Sequence, residues 1–316
     1  MPTEAAALGT LRAGVCGFFF LSILLTSFSD LARLPATTLR PTGAMQIFSW
    51  RFYDVLLTPT GMLTLKCLLL VSLLAATTGY MTGFATKSAA LLVLFYEGLL
   101  RSFGHFNHDE MPAVYILLVL AFSPCGDAFS VDGRAKGKGA RGRGFVYGYP
   151  ILLMRALLAW SYFSSGLIKL RVNGLSYLSP DTLPTLAVTH SLDNLHDTYF
   201  RLAFLLPRYR ELATVVVGLV LLWELAFPLA MWSRLARRVI LTAGIFFHVG
   251  TLLFMNIFFP FHLAMYLVFV DWPAVGRRLV RVKLFRRVFG VRGIEGLTIE
   301  GYAVKESEER VKSDNR

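Results

Sequence analysis

The ionisable residues inside the apolar stretches of this chain are few, and they are of types that move protons. Lys169 closes a mostly apolar run, residues 148–170, that ends Trp160-Ser161-Tyr162-Phe163-Ser164-Ser165-Gly166-Leu167-Ile168-Lys169-Leu170. A lysine against hydrocarbon has two readings: its stem snorkels and carries the ammonium to the headgroups, or the amine gives up its proton and acts as a base. Arg155 and Tyr162 precede it at seven-residue intervals, so the three share a helical face. Glu97, Arg101, His105 and His108 form a second polar stripe at helical spacing. Glu97 and Arg101 can close an ion pair one turn apart, and the whole stripe must face protein or a cavity because lipid penalises it. Glu224 and His248 are the other ionisable groups deep in apolar blocks. His105-Phe106-Asn107-His108 has the i, i+3 spacing of a metal pair, but nothing marks a third ligand and no metal is expected. No glycine-rich phosphate loop, Ser-His-Asp order or Cys-His pair stands out.

The elements that must position these residues are membrane helices. Hydrophobic residues make up 55% of the 316, mean hydropathy is +0.57, and the apolar residues fall in long blocks. Blocks 11–29, 61–80, 85–106, 111–126, 148–170, 211–232, 238–258 and 262–276 have the character of spans, with 111–126 and 262–276 short enough to be re-entrant or tilted. Ser27-Phe28-Ser29-Asp30 is a poor cleavage site, so the first block is kept as a span. The expected fold class is all-α: a polytopic transmembrane bundle of about eight spans, with interfacial and re-entrant helices on its outer face. The aromatic-rich stretch Met45 to Leu57 suits an interfacial helix, and segment 171–210 is apolar enough to pack back as a lid or half-helix. Cys16, Cys67 and Cys125 fall in separate blocks and are expected to be small buried hydrophobes.

The net charge of +12 is patterned. Arg134, Lys136, Lys138, Arg141 and Arg143 crowd one loop, Arg234, Arg237 and Arg238 another, and a third cluster from Arg277 to Arg292 follows the last block. Eight spans put all three on one side, so the positive-inside rule makes both termini cytoplasmic. The basic charge is then a topology determinant touching anionic lipid, and no nucleic-acid partner is expected. Residues 1–276 form the membrane domain, and 277–316 form a basic to mixed-charge tail expected to be disordered. The same topology brings His105, His108 and Lys169 to the outer face, where Ser161, Ser164, Ser165 and Gly166 allow close approach of a helix or a flat ligand.

Four patterns in order resemble the horizontally transferred transmembrane (HTTM) family, the membrane domain of vitamin K-dependent γ-carboxylases. They are Asn107-His108 followed by Phe129-Ser130-Val131-Asp132-Gly133; Tyr162 to Leu170; Trp223-Glu224-Leu225-Ala226-Phe227-Pro228-Leu229; and Phe247-His248-Val249-Gly250. The resemblance covers roughly residues 10–276. It implies that Lys169 deprotonates a reduced naphthoquinone of the vitamin K or menaquinone type, assisted by His108. Asn107, His105, Tyr162, Ser165 and Gly166 would contact that cofactor, with Glu97, Arg101, Glu224 and His248 supporting them from behind. In the family, O2 converts the hydroquinone to a strongly basic epoxide precursor, which takes a γ-proton from a peptide glutamate so that CO2 adds. The carboxylases carry a large extramembrane domain after their spans and an acidic residue soon after the lysine. Here residues 277–316 follow, and Arg171 and Val172 succeed the lysine neighbourhood. The expectation is therefore the quinone half of the chemistry, in a multi-pass protein of a cell inner or ER-type membrane. The alternative is a non-enzymatic membrane factor that helps mature or export a secreted peptide. A transporter is a third, weaker reading, because no inverted repeat is visible.

Overall fold

The computed structural model describes residues 3–104, 110–135, 143–193, 200–272 and 274–275. In chain order its principal helices are α1 (Ala5–Leu25), α2 (Pro59–Thr78), α3 (Thr82–Ser102), α4 (Met111–Ala121), α5 (Phe145–Asn173), α6 (Thr182–Asp193), α7 (Arg210–Ala226), α8 (Arg234–Met255) and α9 (Pro260–Met265). Short 3-10 turns continue α5 to Leu178, α7 to Met231 and α9 to Phe269. Six of these, α1, α2, α3, α5, α7 and α8, are long and apolar enough to cross a membrane, which marks a multi-pass membrane protein; α4 and the 260–269 segment are shorter. Their outer faces carry exposed Val71, Phe84, Leu91, Leu222 and Phe246, a surface that lipid solvates and water does not. Two compact units divide after Val270, and the second begins with a turn in which the Asp271 carboxylate accepts from the Ala274 amide at 3.2 Å. The tail expected to be disordered lies outside the described residues.

Local chemistry sets the helix ends. Thr58 caps α2 by accepting from the Gly61 amide at 3.1 Å, and Pro59 occupies the first turn, where its missing N–H costs nothing. Gly79 ends α2 in the left-handed region at φ 73°. Lys66 on α2 donates to the carbonyls of Leu24 (3.0 Å) and Thr26 (2.8 Å), satisfying the C-terminal end of α1. Between α1 and α2, the stretch expected to form an interfacial helix is helical at Trp50–Leu56 and meets α3 through Phe48 and Phe52 against Phe95, while the buried Tyr53 hydroxyl donates to the Met45 carbonyl at 2.5 Å within the segment. Cys16 and Cys125 are buried as expected of small hydrophobes, whereas Cys67 faces outward on α2. The N-terminal helix starts at Ala5, earlier than the apolar block that begins at residue 11, because Ala5-Ala6-Ala7 are strong helix formers. Arg12, at the edge of that block, consequently lies inside the bundle.

The contacts sort the elements into two ends. A two-residue antiparallel ladder, Thr3–Glu4 (β1) with Arg143–Gly144 (β2), sets the starts of α1 and α5 side by side. Arg12 donates to the Phe129 carbonyl at 2.6 Å, and Asp132 accepts from the amides of Met81 (3.0 Å) and Thr82 (2.6 Å). The α2–α3 turn, the segment after α4 and the starts of α1 and α5 therefore meet at one end. Phe269 joins the same half of α5, since its ring lies under the guanidinium groups of Arg155 and Arg237 at 5.7 and 5.8 Å. At the opposite end α5 finishes near Lys169, and Asn256, just past α8, pairs its amide with the Phe200 backbone at 2.9 Å in both directions. The first and last apolar elements are joined in the core, where Phe18 and Phe19 each place a ring 5.1 Å from Phe261.

Candidate functional site

One face of α5 carries Tyr162, Ser165, Gly166 and Lys169 at i, i+3, i+4 and i+7 and turns them toward α7. Gly166 is what lets the helices meet: a Cβ there would lie 3.0 Å from Glu224 Cβ and 3.3 Å from the Leu225 side chain. The close approach brings Lys169 Nζ into a hydrogen-bonded ion pair with Glu224 Oε1, and Ser165 Oγ donates to the same oxygen at 3.3 Å. Glu224 is buried at 2% exposure, and its other oxygen, Oε2, bonds to no described protein group. Lys169 keeps 25% of its side chain exposed and sits 5.9 Å over the Tyr177 ring. A buried lysine–carboxylate pair can simply hold helices together. This one differs in two respects: one partner is reachable, and the other has an unused acceptor.

Toward the middle of α5, Tyr162 enters a box of rings. Its hydroxyl is 2.8 Å from His248 Nε2 on α8, its ring stacks on Phe227 at 4.2 Å, and Trp223 meets its edge at 5.0 Å. Trp223 in turn donates to the Ile240 carbonyl at 2.8 Å, pinning α7 to α8 beside Glu224. The His262 ring lies 5.4 Å from Tyr162 and 5.9 Å from His248, and the Tyr266 ring lies about as far from each. His248 is buried, with Nδ1 bonded to no described protein group.

At the mouth, where α5 turns into 174–178, an open cleft of about 390 Å³ is walled mainly by Asn173, Ser176, Tyr177, Asp181, Thr182 and Thr185. Asn173 Nδ2 donates to the Lys169 carbonyl at 3.4 Å, and an ion pair from Arg210 to Asp181 (2.7 Å) ties the start of α7 to the rim. The lining mixes hydroxyl and amide groups with apolar surface, Leu186 included.

Of the residues expected at the site, Tyr162, Ser165, Gly166, Lys169, Glu224 and His248 come together. Glu224, expected behind the site, touches Lys169 directly. Tyr162, expected against a cofactor, meets His248 at 2.8 Å. Glu97 and Arg101 form their own pair on α3 at 3.1 Å, and α3 packs on α2 and α4. His105, Asn107 and His108 lie outside the described residues. The residues that sequence reasoning missed are Trp223, Phe227, His262, Tyr266 and Tyr177. A histidine inside the apolar Phe258-Phe259-Pro260-Phe261-His262 run was the signal for one of them; the others look like ordinary apolar filling until α5 and α7 are docked. Among the described residues no group of three His, Cys, Asp or Glu side chains is placed to hold a metal. Compared with family models, with curated proteins and with solved structures, the chain matches none.

Proposed function

We propose that the chain is an eight-span membrane enzyme of the HTTM type, in which Lys169, paired with Glu224, is the base for oxygen-dependent chemistry on a lipid-soluble hydroquinone. The observation that carries this reading is the asymmetry of the pair: a reachable amine bonded to a carboxylate that is buried and has one acceptor unused. The path of the chain supports eight crossings. Since α1 and α5 start at one end, the short α4 must return the chain after α3; since Asn256 and Phe269 stand toward opposite ends, the 257–269 segment must return it after α8. Arg134, Arg234 and Arg237 then fall at the end away from Lys169, and the positive-inside rule puts Lys169 on the outer side.

The residues at the mouth fit a flat phenolic ligand. Tyr177 offers a ring and Asn173 and Ser176 flanking polar groups in the cleft, and Lys169 Nζ lies 5.9 Å from that ring. A reduced naphthoquinone supplies acidic phenolic hydroxyls and, with O2 as oxidant, an epoxide product. The protein's part is the first proton transfer. With the pair's proton on Glu224 Oε2, Nζ donates to Oε1 and keeps its lone pair for the proton of a hydroxyl placed against it. The ammonium so formed stays to balance the charge left on that oxygen. Burial of Glu224 keeps water from competing for the shared proton.

One observation favours a second reading. The cleft lining of hydroxyl and amide groups also suits a peptide backbone, as a non-enzymatic maturation factor for a secreted peptide would require. Oxygen-dependent epoxidation of reduced menaquinone by the detergent-purified protein separates the two. The enzyme reading expects epoxide from the wild type and a loss of at least about a hundredfold in Lys169→Ala. No epoxide from folded wild-type protein would overturn it and leave the peptide factor.

A further inference from the structure

Ser161, Ser164 and Ser165 stand close together on α5, and their hydroxyls are not used alike. Ser161 Oγ donates to the Leu158 carbonyl at 2.8 Å and Ser164 Oγ to the Ser161 carbonyl at 3.1 Å, the back-bonding usual for a hydroxyl inside a helix. Thr77, Thr86 and Ser102 do the same in their own helices. Ser165 instead reaches across to α7 and donates to Glu224 Oε1 at 3.3 Å. Lys169 Nζ donates to that same oxygen, so Oε1 receives two donors, while Oε2 receives none from any described protein group. The two oxygens pull the pair's proton in opposite directions. Donors on Oε1 favour the carboxylate and hence the ammonium; a bare oxygen on a side chain as buried as Glu224 favours the protonated acid and hence the amine. Ser165 is the donor in that balance that takes no part in the proton exchange itself.

We propose that Ser165 is a positioning residue that sets the share of Lys169 present as free amine. Its hydroxyl weights the pair toward ammonium and carboxylate, so the amine is the minor form in the empty site. No bond to a ligand is made at Ser165; in place of the cofactor contact expected of it, it acts through Glu224. Tyr177, from the turn after α5, is the further titratable group facing the pair among the described residues, with its ring 5.9 Å from Nζ. Asp181 and Arg210 at the rim close on each other. The assignment deepens the base reading of Lys169 and rests on it.

Competitive acylation tests this without any quinone. The reactivity of Lys169 toward acetic anhydride, read by mass spectrometry against a free amine across neutral to alkaline pH, reports the unprotonated fraction of that one side chain. A lysine that exchanges protons only with water loses about tenfold in reactivity for each pH unit below its midpoint. A lysine that can pass its proton to Glu224 keeps a floor that does not change with pH, because the proton moves within the pair. The wild type is expected to show that floor near neutral pH, and Glu224→Gln to abolish it. Ser165→Ala is expected to raise the floor about threefold to tenfold, the effect of one ordinary hydrogen bond. Ser165→Thr, which keeps the hydroxyl, should stay at the wild-type level. An unchanged or lowered floor in Ser165→Ala overturns the proposal, and so does an equal rise in Ser165→Thr. A purely structural serine would move the melting temperature and leave the floor alone. Absence of any floor in the wild type would instead overturn the base reading itself, so the two failures are told apart.

Discussion

Arg12 and Lys169 are both basic side chains drawn into the bundle, and the protein treats them in opposite ways. Arg12 is fully buried near the basic end, held by the Phe129 carbonyl, while Lys169 at the other end is partly exposed and held by a carboxylate. Around Arg12 the backbone bends to fit: Gly79, Met81 and Phe129 all adopt left-handed conformations, and a Cβ on Gly79 would strike the guanidinium and Ser130. Asp132 stands nearby, but both its oxygens are given to the amides of Met81 and Thr82 at the start of α3. The guanidinium, with five donors in a fixed fork and no way to lose its proton, suits a joint between segments. The amine, with a single nitrogen able to hold or release a proton, suits a reactive position. The sequence resemblance counts Phe129-Ser130-Val131-Asp132-Gly133 and the Lys169 segment alike as family marks; here the first acts as a clasp, and the second presents an amine paired with a carboxylate.

The comparison can be broken at several points. Arg12→Ala should have the largest effect on stability, about 3–5 kcal/mol by denaturant unfolding in detergent, because it empties a packed volume and strands the Phe129 carbonyl. A loss below about 1 kcal/mol would show that the clasp holds without its centre. Gly166→Ala comes next, at about 1–3 kcal/mol, since the new methyl must push α7 away. It should also part Lys169 from Glu224, raising Lys169 acylation while the Arg12 end keeps its protection from hydrogen exchange. Equal loss of protection at both ends would mean the two regions are not independent. Asp132→Asn is the mildest, about 1–2 kcal/mol, because the amide oxygen replaces only one of two accepting oxygens. Its effect should be confined to exchange at the start of α3.

Hydropathy alone located the six long helices, because lipid demands long apolar runs and offers loops no partners. It shortened α1, since alanine and a single arginine blur a span edge: Arg12 reads as a boundary residue and is a core one. Helical spacing put Tyr162, Ser165, Gly166 and Lys169 on one face before any neighbour was known. What spacing cannot supply is which helix faces them. Glu224 lies 55 positions from Lys169, and nothing in the local chain says that Gly166 is the notch it fits. Tyr162 and His248 were each legible alone, but the ring box they share was not, because Trp223, Phe227 and Tyr266 come to it from other elements as ordinary aromatic residues. His105, Asn107 and His108 stay where sequence reasoning left them.

The contact of Phe18 and Phe19 with Phe261 also has a consequence for how the protein is made. About 240 residues separate these rings, which at roughly 5–20 residues per second is on the order of 10–50 s of synthesis. α1 therefore cannot find this neighbour until that further length of chain has been made. Through that interval the face carrying Phe18 and Phe19 lacks this partner, although α2 can already pack on α1. A stalled or truncated chain would expose that face, giving the membrane's quality control a marker of incomplete assembly.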